Sequence, residues 1–134
     1  MNSDELNKLM AQLSEDAVVF AKNEYDIELV KEVTAIQQVD TIITALKERG
    51  SSSFKDKELF TLSNVLGAYV GEVVKNETGG EWLYDVSDEK APAVRLLIER
   101  SDYPFASVVY QHLTSKPDVS VYEYARNALE RHKK

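Results

Sequence analysis

One carboxylate stands out among the side chains that could do chemistry. Glu72 sits between Gly71 and Val73, inside the most apolar stretch of the chain, Leu59–Val74, where the pattern calls for an apolar residue. Desolvation of a carboxylate raises its pKa and suits it to general acid or base work. His112 is the second candidate, grouped with Val108, Val109 and Leu113 at helical spacing. A Glu72–His112 pair would serve a small hydrolase or ligand-binding enzyme. The packing alternative is favoured. Buried polar groups are normally satisfied internally, so Glu72 is expected to pair with Arg95 or Arg100, or to accept from amides of the Gly79-Gly80 turn. His112 is likewise expected to be a packed residue with one hydrogen bond.

Other chemistries lack their residues. The chain has no cysteine and two histidines, and His132 belongs to the basic end Arg131–Lys134, expected to fray. No H-E-x-x-H, H-x-x-x-H or D-x-D spacing is present, so no metal site is expected. G-x-S-x-G, G-K-[ST] and G-x-G-x-x-G are absent too, and no cofactor is expected. Acidic residues outnumber basic ones by 23 to 16, giving a net charge of −7. Residues 1–67 hold 12 acids and 7 bases, and residues 68–134 hold 11 and 9. Neither half is basic, which argues against nucleic acid as a partner.

Positioning these residues takes about five helices and a small sheet. Leu6, Leu9, Met10, Leu13, Ala17 and Phe20 form a stripe that predicts a helix over 4–23, capped by Ser3. Thr34 and Gln37 have capping-box spacing at the start of a helix over 35–49, closed by Gly50. A third helix, 55–76, is expected to begin at Ser53 and to be central. Leu59, Leu62, Leu66, Tyr69 and Val73 are widened by Phe60, Val65, Val70 and Val74 into an apolar face on most sides. Gly67 and Gly71 weaken helix propensity, which predicts another backbone packed closely on them.

Gly79-Gly80 ends that helix, with φ > 0 expected at one of the two. Trp82, Tyr84 and Val86, then Val94, Leu96 and Ile98, alternate with polar or exposed positions and predict an antiparallel hairpin near 81–99 around a polar loop, 87–92. Ile27 and Leu29 alternate with charged residues, so 25–30 offers a third strand. Pro104 begins a fourth helix. Ser120, with Glu123 three residues on, opens a fifth over 121–131, with Val121, Tyr122, Ala125 and Leu129 inward and Tyr124 outward. Helices beside a small antiparallel sheet make this an α+β fold, with residues 1–134 as one domain. The Ser51–Ser53 run is too short to divide it. No apolar run reaches the roughly 20 residues of a membrane span, and Met1–Glu5 is acidic rather than signal-like, so a cytoplasmic protein without membrane contact is expected.

Leu66-Gly67-Ala68-Tyr69-Val70-Gly71-Glu72, followed by Gly79-Gly80-Glu81-Trp82, reads G-A-Y-x-G-E then G-G-x-W. Pro104-Phe105-Ala106-Ser107-Val108 adds a P-F-x-x-V helix start. Over residues 26–130 this layout resembles a group of small bacterial domains of unknown function. The resemblance implies a bacterial-type cytoplasmic α+β domain and no particular reaction. It marks Gly67, Tyr69, Gly71, Glu72, Gly79, Gly80 and Trp82 as signature positions. Seven of the twelve aromatic residues lie from Trp82 onward. Tyr and Trp are enriched at interfaces, but most of these are expected to build a C-terminal core. The missing catalytic motifs and the acidic charge point to a non-catalytic interaction domain, an adaptor or immunity-like module that binds another protein or a second copy of itself.

Overall fold

The structure is a computed structural model that describes residues 2–50, 54–87 and 93–133. Five helices and a three-stranded antiparallel sheet form an α+β fold: α1 (Ser3–Tyr25), α2 (Gln37–Glu48), α3 (Asp56–Thr78), β1 (Glu81–Asp85), β2 (Ala93–Ile98), β3 (Ser101–Tyr103), α4 (Phe105–Thr114) and α5 (Val121–Arg131). The serine run at 51–53, the Ser53 cap and residues 88–92 of the expected loop lie outside the described residues.

α3 is the hub. It packs against α1 on one side and α4 on another, with the sheet over its C-terminal half. From Leu66 to Gly71 every residue is buried. This follows from an apolar face that spans most of the circumference. Phe60 departs from that pattern and is largely exposed, while its neighbours Leu59 and Leu62 pack against the core.

The helix ends are built from local chemistry. Asn2, not Ser3, caps α1: its side chain accepts from the Glu5 N–H at 2.8 Å and Glu5 reaches back. The Thr34–Gln37 box does not form. Val33–Ile36 instead winds as a 3-10 turn leading into α2, so Gln37 is already the first helical residue. Gly50 follows α2 at φ 89° and Gly79 follows α3 at φ 75°, both left-handed as the glycine signal implied.

The third strand is not at 25–30. Asp26 turns left-handed at φ 53° directly after α1, and Ile27 N–H donates back to Ala21 O. That geometry diverts the segment, which then runs beside α3 with Leu29 buried. The third strand is Ser101–Tyr103. It pairs with β2 across a two-residue turn, in which Glu99 takes φ 57°, a region costly for a residue with Cβ. The sheet order is β1-β2-β3. Trp82, Leu96, Ile98 and Tyr103 share the buried face, and Leu83, Arg95 and Asp102 share the outer one. Arg95 sits 3.6 Å from both Asp85 and Asp102, tying the three strands together.

Candidate functional site

The residues of the α3 signature converge on the neighbours of that helix. A Cβ at Gly67 would lie 2.6 Å from Ala106 Cα, so this glycine admits the first turn of α4, as the glycine pair implied. A Cβ at Gly71 would lie 2.0 Å from Trp82 Cη2; here the neighbour is an indole ring rather than a backbone. The same indole donates Nε1–H to Glu72 Oε2 at 3.0 Å. Gly80 is buried where a Cβ would meet Leu97 O at 2.9 Å. Gly79 gives the turn its left-handed residue. The signature therefore works as one packing device: two bare helix positions, a glycine turn, and a Trp-bearing strand folded back onto the helix that precedes it.

The partner of Glu72 corrects the sequence reading. It is the Trp82 indole, not Arg95, Arg100 or the turn amides. Arg95 is held by Asp85 and Asp102 on the outer face of the sheet, away from the face that carries Trp82. Glu72→Gln keeps an acceptor for the indole and is expected to change stability by less than about 1 kcal/mol. Glu72→Leu leaves Nε1–H unpaired and should cost about 1–3 kcal/mol. Denaturant midpoints of the two variants distinguish this arrangement from one in which charge is required.

Tyr69 anchors the other side of α3. It is fully buried, and its hydroxyl donates to Val30 O at 2.5 Å, fixing the segment between α1 and α2. Burial first, and the charge of Glu32 second, push its pKa up to about 12. The unfolded phenol titrates near 10, so the folded state favours the neutral form. This contribution is full below pH 10 and is lost as pH rises through 12. Tyr69→Phe should abolish that part of the alkaline destabilisation. At neutral pH it should cost about 1–2 kcal/mol, because the Val30 carbonyl loses its donor. Urea unfolding at pH 7, 9, 10 and 11 measures both effects.

His112 is fastened by two contacts rather than one. Nδ1 lies 2.7 Å from Val108 O and Nε2 2.6 Å from Val119 O. The ring ties α4 to the loop before α5, and Lys47 Nζ donates to Ser115 O in the same loop. No hydrogen bond or ion pair joins Glu72 to His112 among the described residues. Both groups are already engaged within their own surroundings.

Sequence reasoning missed a second polar cluster. His132 is not in a frayed tail but buried, at the C-terminal cap of α5. Its Nε2 lies 2.7 Å from the Tyr103 hydroxyl, and Glu99 Oε2 lies 3.6 Å from Nδ1. Tyr103 meets its ring edge-on and in turn stacks on Phe105, with Tyr124 edge-on to both. Tyr124, expected outside, is half-buried there, and burial chiefly, with Tyr103 next, raises its pKa. The signal was legible: Val121, Ala125, Ala128 and His132 continue one stripe at helical spacing. Carboxylate, imidazole and hydroxyl stand in the order used to activate a nucleophile. His132 lines one cleft, but Tyr103 is buried and borders neither of the two clefts described next, so the row serves as a latch between α5 and β3.

Those clefts contain neither Glu72 nor His112. One, of about 500 Å³, is lined by Glu77, Thr78, Leu129, Glu130, His132 and Lys133. The other, of about 340 Å³, is apolar and lies among the ends of α2, α3 and α4. Among the described residues no group of three or more His, Asp or Glu is arranged to hold a metal ion, and no helix is long and apolar enough to cross a membrane. No protein-family profile, curated protein or solved structure matches the chain.

Proposed function

We propose that this chain is a non-catalytic protein-interaction domain of a bacterial cytoplasm, an adaptor or immunity-like module whose acidic surface meets a basic partner. One observation carries the reading. The two groups that the sequence offered for proton transfer, Glu72 and His112, are each engaged in internal bonds and border neither cleft, and His132, which does line one, has its Nε2 on the buried Tyr103 hydroxyl. An enzyme needs such groups to converge on an open pocket. Outside the core, Leu83, Tyr84 and Val86 are exposed on and beside β1, and the net charge of −7 repels nucleic-acid phosphates at long range. The immunity comparison is one of charge and size and rests on analogy.

The test is affinity isolation of the tagged full chain from cell extract at low and moderate salt, in parallel with esterase, phosphatase and peptidase assays. The expected result is a stoichiometric protein partner, retained by Glu72→Gln and His112→Phe and weakened by salt. Turnover of any substrate that is lost in Glu72→Gln would overturn the reading in favour of a small hydrolase.

A further inference from the structure

β1 is an edge strand. It pairs only with β2, and among the described residues no element hydrogen-bonds to its outer side, although α1 packs against it. Proteins usually blunt such an edge with lysine, proline, a bulge or a very short strand. β1 has five residues with neither lysine nor proline, and it carries apolar side chains into solvent: Leu83 is 43 % exposed, Tyr84 40 % and neighbouring Val86 59 %. Its charged residues are the acids Glu81 and Asp85.

The register fixes which acids face which way. Glu81, Leu83 and Asp85 lie on the outer face, opposite Leu97, Arg95 and Ala93 of β2. Among the described residues Arg95 is the one cation there, and it is shared between Asp85 and Asp102. Glu81 has no ion-pair partner among the described residues. Along the open edge the outer face therefore reads acid, apolar, acid at every second residue, with Trp82 and Tyr84 on the other face.

From this pattern, and resting on the protein-interaction reading above, we infer that the β1 edge binds an extended segment of a basic partner protein by strand addition. The segment that fits has basic residues opposite Glu81 and Asp85 and apolar residues at the three positions between. Backbone bonds would supply affinity, and the alternating side chains selectivity. A second copy of this chain fits less well. Antiparallel self-pairing centred on Leu83 sets Glu81 against Asp85 of the other copy twice. Centring on Tyr84 sets Leu83 against Asp85 instead. Both bring together two chains of charge −7.

The capped peptide Lys-Val-Val-Val-Lys, flanked by glycines, tests this because its pattern reads the same in either strand direction. Titrated into the isotope-labelled full chain, it should shift and protect the amides of residues 81–87. The Glu-Val-Val-Val-Glu peptide should bind about tenfold more weakly, since two cross-strand ion pairs become repulsions. Leu83→Lys, an exposed change that leaves the fold's spectrum intact, should weaken the lysine peptide by a similar factor. The inference is overturned by no shift with the lysine peptide, by equal affinity for the two peptides, or by shifts that map away from β1. It is also overturned if the same amides shift with protein concentration alone, which would make a second copy the occupant. None of these outcomes touches the cell-extract experiment, which uses no peptide and decides the broader reading separately.

Discussion

Gly71→Ala is expected to destabilise the fold by about 3 kcal/mol, despite alanine being the better helix former by roughly 1 kcal/mol. The new methyl would sit 2.0 Å from Trp82 Cη2 and 2.6 Å from Cζ2, well inside contact distance. The indole is almost wholly buried and cannot swing into solvent without uncovering Gly71 and giving up its bond to Glu72. Relief must then come from lifting β1 off α3. Combining Gly71→Ala with Trp82→Leu should recover part of the loss, because the smaller side chain vacates the space. Trp82→Leu alone should cost about 2–4 kcal/mol, and the double variant less than the sum, with a coupling of about 2 kcal/mol. Guanidinium unfolding of the four proteins gives the cycle, and additivity within about 0.5 kcal/mol would show that the two positions do not meet. Gly67→Ala makes the contrast. Its clash is with the Ala106 backbone, so no truncation at position 106 should rescue it.

Asp40→Ala should cost about 2–4 kcal/mol, a large effect for one half-buried polar residue of α2. Both carboxylate oxygens accept from the first turn of α5: Oδ1 from Val121 N–H at 2.9 Å and Oδ2 from Tyr122 N–H at 3.0 Å. These donors have no partner within their own helix, and the negative charge faces the positive end of the α5 dipole. The local cap, Ser120, satisfies only Glu123 N–H, at 3.0 Å. Asp40→Ala therefore removes two charge-assisted bonds at once. Asp40→Asn keeps one acceptor without the charge and should lose about half as much. Urea midpoints at pH 7 should order as wild type, Asn, Ala, with the slope of the transition unchanged. Ser120→Ala should cost about 1 kcal/mol, near the usual worth of one N-cap.

Much of this architecture is legible in the residues, and the exceptions share a physical cause. The helices α1, α3 and α5, the left-handed Gly50 and Gly79, and the hairpin of β1 and β2 are local signals and appear where they were expected, although Leu9 and Phe60 drop out of their stripes into solvent, Tyr84 is exposed, and Val86 is exposed beyond the end of β1. The third strand is three residues long, too short for an alternation to register. The competing alternation at Ile27 and Leu29 is overridden by the left-handed turn at Asp26. Glu72 is recognisable as a carboxylate that needs a partner, but its donor lies across a glycine turn. Nothing in a one-dimensional pattern ranks an indole N–H above a guanidinium. Asp40 gives no sign at all, since its partners are about eighty residues away. His132 continues a helical stripe that was read as ending at Leu129. Long-range polar contacts are set by how elements dock, and docking is what periodicity does not encode.

The placement of Trp82 also gives the molecule a built-in optical probe of one particular interface. It is the only tryptophan of the chain, and its indole touches a helical glycine and a carboxylate of α3 while belonging to β1. Its emission therefore reports the docking of sheet on helix, not the integrity of α1, α2 or α5. Ellipticity in the far ultraviolet is dominated by the helices. A protein that unfolds as a single unit will show both signals changing together on heating. A red shift of the emission ahead of the loss of ellipticity would mark the sheet as a separately opening unit, with α3 still wound beneath it.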